Sequence, residues 1–285
     1  MKCNYSFLNL HHKKMEMYSP TPEKTLILHD MLEKAGRIVI VTHHHPDGDA
    51  AGSSTALMHF IGSSFGPKSR VILPTALPES LEFLLSEAVS TAECDKPAAE
   101  AAIASCDLLI CLDFNTFSRT DFLEDALRSC KAPKVLIDHH LNPDTEAFDL
   151  VFSETGISSA SELLFWILMR MVGTDDATVL PAGASLALMT GMTTDTNNFA
   201  NSTYPSTLEM ASALLRRGVD RDALVQHIFN EYRECRLRSL GKLLTEMKIL
   251  PGGIAYMILD AASIEAFGIH EGDTEAFVNH VIAYM

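Results

Sequence analysis

Apolar residues fall along this chain in two rhythms. Short, nearly unbroken apolar runs at Arg37–Thr42, Arg70–Leu73, Asp107–Asp113, Lys134–Asp138 and Phe148–Phe152 read as strands. Every position between Asp107 and Asp113 is apolar, which marks a strand covered on both faces. Between these runs the apolar positions recur at helical spacing, over Thr21–Ala35, Asp49–Phe65, Pro97–Ser105 and Asp121–Cys130. Pro22 opens the first of these segments, Gly36 closes it and Gly66 closes the second, as helix ends require. Strands alternating with helices predict an α/β fold on a parallel sheet with flanking helices and right-handed crossovers.

From Ser158 onward the rhythm is helical throughout. Ser158–Val172, Thr178–Thr190 and Pro205–Arg217 read as helices, and Arg221–Met247 as one long helix or a helix pair. Ser158, Ser159 and Ser161 form an N-cap group. Pro251, Gly252 and Gly253 break the pattern, and Ile254–Leu259 starts a new strand. These shifts divide the chain into a domain at 1–220, a helical connector at 221–250 and the beginning of a smaller α/β domain at 251–285, expected to be incomplete. The connector carries Arg233, Arg236, Arg238 and Lys242, read as a solvated helix face.

Composition narrows the class. A chain of 285 residues, 47% of them apolar, can bury a large core. No apolar run is long enough to span a membrane, and the N-terminal stretch lacks the apolar centre of a signal peptide. The cysteines (Cys3, Cys94, Cys106, Cys111, Cys130 and Cys235) show no Cys-x-x-Cys spacing, the usage of reduced thiols in a cytoplasmic protein. A formal charge of −15 argues against a binder of long duplex nucleic acid. A small anionic substrate stays open where bound cations reverse the charge locally.

The chemistry-bearing residues sit where the predicted strands end. Thr42-His43-His44-His45-Pro46-Asp47-Gly48-Asp49 follows the first strand, Asp113 ends a later one, and Asp138-His139-His140 ends the next. Ligands gather at the carboxyl ends of parallel strands. Asp47, Asp49, Asp113 and Asp195 carry four negative charges, which two divalent cations would balance, with His43 and His139 as neutral ligands. Mixed imidazole and carboxylate donors suit Mn²⁺, with Mg²⁺, Co²⁺ or Zn²⁺ as alternatives. His11, His12, His29, His59, His227, His270 and His280 read as surface or packing histidines. His44 is assigned no role.

These segments resemble the motifs of the DHH phosphoesterase superfamily, over most of the chain from Arg37 onward. The Asp-His-His of its name stands at Asp138, His139 and His140. The first segment is similar to the family's His-x-Asn-Pro-Asp-Gly-Asp-Ala, with His45 in place of asparagine. Asp113 with Asn115 and Arg119 matches the second motif, and Gly191 to Thr196 a later one. The resemblance implies a two-metal hydrolase with His43 and Asp47 on one ion, Asp49, His139 and Asp195 on the other, and Asp113 bridging both. It makes Asp113 and His140 the catalytic residues, with His140, His45 and Arg119 contacting substrate. Length, acidity and the segment Glu275 to Asn279 liken the chain to short bacterial enzymes that degrade oligoribonucleotides and dephosphorylate 3′-phosphoadenosine 5′-phosphate.

One departure stands out. Those enzymes hold the substrate's terminal phosphate with a Gly-Gly-Gly-His motif, which this sequence lacks. The same metal motif serves phosphatases of pyrophosphate, short polyphosphate or the linear dinucleotide from cyclic-di-AMP, and these form the alternative reading. A nucleotide-binding protein without turnover is a third. The expected partners are short RNA or small phosphorylated nucleotides, with no membrane and room for a homodimer.

Overall fold

The computed structural model describes residues 20–230, 234–252, 254–269, 274 and 277–278. Cys3, His11, His12, Arg233, Gly253, His270 and His280 lie outside them, as does most of the segment from Glu275 to Asn279.

Six parallel strands form the main sheet: β1 (Ile38–Val41), β2 (Ser69–Leu73), β3 (Val89–Thr91), β4 (Leu108–Leu112), β5 (Lys134–Asp138) and β6 (Leu150–Ser153). The helices interleaved with them are α1 (Pro22–Lys34), α2 (Gly48–Phe65), α3 (Lys96–Ser105) and α4 (Glu124–Ser129). After the sheet come α5 (Ala160–Val172), α6 (Ala182–Asp195), α7 (Pro205–Arg216), α8 (Arg221–Val225) and α9 (Glu234–Glu246). An antiparallel hairpin of β7 (Lys248–Leu250) and β8 (Ile254–Tyr256) follows, then α10 (Ala261–Phe267).

The strand order is β3-β2-β1-β4-β5-β6. The chain therefore winds outward in both directions from the central pair, β1 and β4. Where the winding reverses, the loops leaving the two strands diverge and open a crevice at their carboxyl ends. Both faces of the sheet are covered, as the unbroken apolar runs predict. Ile38, Ile40, Leu108, Ile110, Leu112, Val135 and Ile137 point into one core with α1, α2, α5 and α6. Val39, Val41, Leu109, Cys111 and Leu136 point into the other, against α3, α4 and the turn at Phe117–Leu123. Hydrophobic burial on both faces makes the sheet a rigid base for what its ends carry.

The helix α6 differs from the pattern-based segment Thr178–Thr190. A single 3₁₀ turn occupies Ala177–Val179, Pro181 caps the helix, and the helix then runs on to Asp195. Proline serves well at a helix start but breaks an interior, so the turn and the helix stay separate. The segment Arg221–Met247, expected as one long helix or a helix pair, holds α8, a π-helical turn at Gln226–Asn230 and α9 among the described residues, and Lys248–Leu250, placed by the sequence in the helical connector, is strand. The helix expected over Asp121–Cys130 shortens to α4, because Asp121 takes a non-helical backbone (φ 52, ψ −120). The short edge strand β3 has no apolar run to announce it; its burial is only partial. Among the connector's described cations, Arg238 pairs with Glu234, Lys242 with Glu246 at 3.3 Å, and Arg236 lies over the Phe277 ring.

Candidate metal centre

The crevice between β1 and β4 is lined by carboxylates and imidazoles from separate elements. His43 stands two residues past the end of β1. Its Nδ1 lies 2.9 Å from the His44 carbonyl oxygen, which can only accept, so Nδ1 keeps its proton and Nε2 turns to the carboxylates. Asp47 caps α2, with Oδ1 accepting from the amides of Asp49 and Ala50 at 3.0 Å. Gly48 begins α2 because a Cβ there would collide with the Thr194 side chain of α6.

Asp49, in the first turn of α2, is buried. Its carboxylate accepts from the Ala160 amide at 2.6 Å and the Ser161 amide at 2.9 Å, the exposed donors at the start of α5. Asp113 stands just past β4 in the left-handed region (φ 63), which turns its side chain into the crevice, while its amide stays in the sheet on the Ile137 carbonyl. Asp138 ends β5, and His139 and His140 leave the sheet after it. Asp195 arrives from the last position of α6.

Three sets of donor atoms lie within 4.8 Å of one another: His43, Asp47 and Asp113; Asp49, His139 and Asp195; and Asp113, His139 and His140. Asp113 divides its oxygens between them, Oδ2 at 3.6 Å from His43 Nε2 and Oδ1 at 3.4 Å from His139 Nε2. Asp113 Oδ1 is buried without a hydrogen-bond partner, as is Asp138 Oδ2. An orphaned carboxylate oxygen among imidazoles fits a missing cation. The expected ligands His43, Asp47, Asp49, Asp113, His139 and Asp195 thus meet in one crevice. His45 and Arg119 stand on its exposed rim, outside the three sets.

Protonation in the crevice shows the same demand for positive charge. Burial pulls the His43 imidazole down, but the Asp113 and Asp47 carboxylates outweigh it and push it up to about 10. His139 rises to about 9 against the same burial, through Asp113, Asp49 and Asp195. Asp113 is buried, yet His139 and His43 hold it down to about 2. Burial, then the Asp113 and Asp195 charges, push Asp49 well above the carboxylate range. Asp195 rises to about 6, chiefly through burial. Protons occupy the places that cations would take.

Some contributing groups escaped sequence reasoning. Asp138 Oδ1 lies 2.7 Å from His140 Nδ1, so it fixes that ring and leaves Nε2 as the outward nitrogen. Glu162, fully buried in α5, accepts from the Ser158 amide at 3.1 Å, the Ser158 hydroxyl, Thr207 Oγ1 at 2.7 Å and Trp166 Nε1 at 3.3 Å. It anchors the start of α5, which holds Asp49. The spacing of Ser159 and Glu162 is that of a capping box and could have drawn attention to this helix end. The His44 carbonyl, which orients His43, has no sequence signal.

The model of the DHH family, N-terminal domain, matches residues 37–194. An exopolyphosphatase-related protein from Bacteroides fragilis superposes with a TM-score of 0.85 at 33% identity, over 91% of this chain and 76% of its own. An uncharacterized MG371 homolog from Mycoplasma pneumoniae is 26% identical over 81% of this chain and 66% of its own length. The bifunctional oligoribonuclease and PAP phosphatase NrnA of Bacillus subtilis is 25% identical over 85% of this chain and 72% of its own. The chain therefore spans about two-thirds of the mycoplasma relative.

Proposed function

Since the chain belongs to the DHH family, we propose that it is a divalent-metal-dependent phosphoesterase acting on short oligoribonucleotides and 3′-phosphoadenosine 5′-phosphate. The observation that carries this reading is the placement of Asp113. Its two oxygens face His43 on one side and His139 on the other, and the second oxygen is buried without a hydrogen bond. In this reading His43 and Asp47 hold one ion, Asp49, His139 and Asp195 another, and Asp113 both, with Mn²⁺ favoured by the mixed donors. Such cations supply an activated water and neutralise charge on a phosphoryl group.

The chain's own residues complete the chemistry. His43 Nδ1 is held by the His44 carbonyl, so Nε2 is presented as a donor atom. Asp49 is fixed by two α5 amides and cannot swing away. Asp138 Oδ1 holds the His140 ring through Nδ1, so in this reading Nε2 is turned outward toward a phosphoryl oxygen. Arg119 and His45, exposed at the rim, are suited to the flanking phosphates.

The test is turnover with Mn²⁺ of a 5′-labelled RNA trinucleotide and of 3′-phosphoadenosine 5′-phosphate. Asp113→Asn keeps the shape and removes the charge shared between the donor sets. It is expected to lower kcat at least about a thousandfold. Near-normal turnover in that variant would overturn the assignment. The likeness to an exopolyphosphatase-related protein favours a second reading, hydrolysis of pyrophosphate or short polyphosphate. Phosphate release from pyrophosphate with neither nucleotide cleaved would decide for it.

A further inference from the structure

Next to the acidic crevice lies a strip of aromatic rings. The His44 and His45 rings meet edge to face, with centroids 4.0 Å apart and planes at 73°. His44 also faces the Phe122 ring at 6.2 Å and 88°, so the three rings form one continuous strip. Lys96 Nζ lies 5.4 Å from the centroid of Phe122, and the exposed Arg119 is tied to the strip through its backbone carbonyl, which accepts from the His44 amide. His45 is exposed, while His44 and Phe122 are half-buried.

The backbone holds this strip at a cost. His45 (φ 54) and Asp121 (φ 52) both occupy the left-handed region although neither is glycine. The His44 amide donates to the Arg119 carbonyl at 2.8 Å, the His45 amide to Thr75 Oγ1 at 2.9 Å, and His44 Nε2 lies 3.6 Å from Asp121 Oδ2. The loop after β1 is thereby fastened to the turn after β4. Since His44 follows His43 directly, the strip begins where the ligand cluster ends.

An inorganic phosphate chain offers nothing to an aromatic ring. A nucleobase does, because every base has a π face and stacks on imidazole or phenyl planes whatever its sequence. The strip is not sealed within the core: His45 is exposed and the His44 and Phe122 rings are half-buried. The flanking cations Arg119 and Lys96 suit a backbone phosphate beside such a base, against the repulsion of a chain carrying −15.

We propose that His44, His45 and Phe122 form a nucleobase-stacking subsite for a short single-stranded oligonucleotide whose scissile phosphate lies at the Asp113 cluster. The inference rests on the phosphoesterase reading above and narrows its substrate to one that carries a base beside the cleaved bond.

The experiment compares an RNA trinucleotide with the same backbone made abasic at one nucleotide in turn, using the full chain with Mn²⁺. The wild type should prefer the base-bearing substrate over at least one abasic analogue by about tenfold in kcat/KM, carried by KM. His44→Ala and Phe122→Leu should bring that ratio close to one, and Phe122→Tyr should keep it. Phe122→Leu retains apolar volume, so a fallen ratio with an intact melting transition reports stacking rather than packing. A wild-type ratio near one for every abasic position, or a ratio preserved in both variants, overturns the subsite while leaving the phosphoesterase reading intact. Cleavage of inorganic polyphosphate with no trinucleotide cleaved overturns the phosphoesterase reading's nucleotide substrate, and the subsite with it.

Discussion

At the scale of single residues, the crevice is a competition between protons and cations. The neighbouring carboxylates raise His43 and His139 from 6.5 to about 10 and about 9 against the effect of burial. Raised values mean that the stability these ion pairs contribute is complete below about 6.5 and is lost as pH climbs through 9 to 10. Asp195, raised to about 6, acts in the same direction, since its protonated form is the one the fold prefers. Asp113, held down to about 2, has the opposite sign, but its window lies far below. A divalent cation replaces the lost protons, so its stabilising effect should grow over the same range. The shift in Tm on adding Mn²⁺ is expected to be several degrees larger at pH 8.5 than at pH 6. An equal shift at both values would mean that these histidines do not hold the ion. Most residues of this competition were legible in the sequence because His43, Asp113 and His139 are ligand types standing at the ends of apolar runs, whereas Asp195 ends a helix and was reached through the charge count and the family motif. Glu162 was not, because a carboxylate inside a helical segment looks like a solvent-facing acid until its partners Ser158, Thr207 and Trp166 are seen. Replacing it with alanine strands those donors, and chemical denaturation should show a loss on the order of 3 kcal/mol.

At the scale of elements, the site depends on how closely α2 and α6 approach. They bring Asp49 and Asp195 to one place from segments far apart in sequence. The approach is set by Gly52: a Cβ there would lie 2.5 Å from the Ala187 carbonyl oxygen and 2.8 Å from the Gly191 amide nitrogen. Both are backbone atoms inside α6, so relief requires moving the whole helix. Gly52→Ala should gain a little helix propensity and lose more to the overlap, roughly 1–3 kcal/mol net in denaturant unfolding. The displaced α6 carries Asp195 with it, so Mn²⁺ affinity by calorimetry should weaken about tenfold. Unchanged affinity would show that the helices can part without disturbing the ligands. The sheet itself was readable because its parallel strands are buried on both faces and carry no polar alternation. The α6 boundary was misplaced because Pro181 stops apolar periodicity from continuing backward, and the sequence left open whether α8 and α9 are one helix or two because a π turn leaves the amphipathic pattern almost intact. Edge strand β3 was missed because the exposed Ser90 and half-buried Thr91 give no apolar signal.

At the scale of the whole molecule, the net charge sets how a phosphate-bearing substrate arrives. The chain carries −15, yet its proposed substrates are anions. Proteins that track nucleic acid with cations lose affinity steeply as salt rises, because binding releases condensed counterions. On the proposed reading the long-range field repels the ligand, and attraction is confined to cations that the crevice would hold and to the short reach of Arg119 and Lys96. Salt screens the long-range field first: the Debye length falls from about 30 Å at about 10 mM to about 8 Å at about 150 mM. The groups around Asp113 lie within hydrogen-bond-scale distances of one another and are screened much less. Raising monovalent salt over that range at fixed Mn²⁺ should therefore hold or increase kcat/KM for the trinucleotide. The gain belongs to association, so it should fall on kcat/KM and leave kcat almost unmoved. A steep fall in kcat/KM with salt would instead mean that an extended cationic track guides the substrate, and recognition would have to be sought beyond the crevice and its aromatic rim.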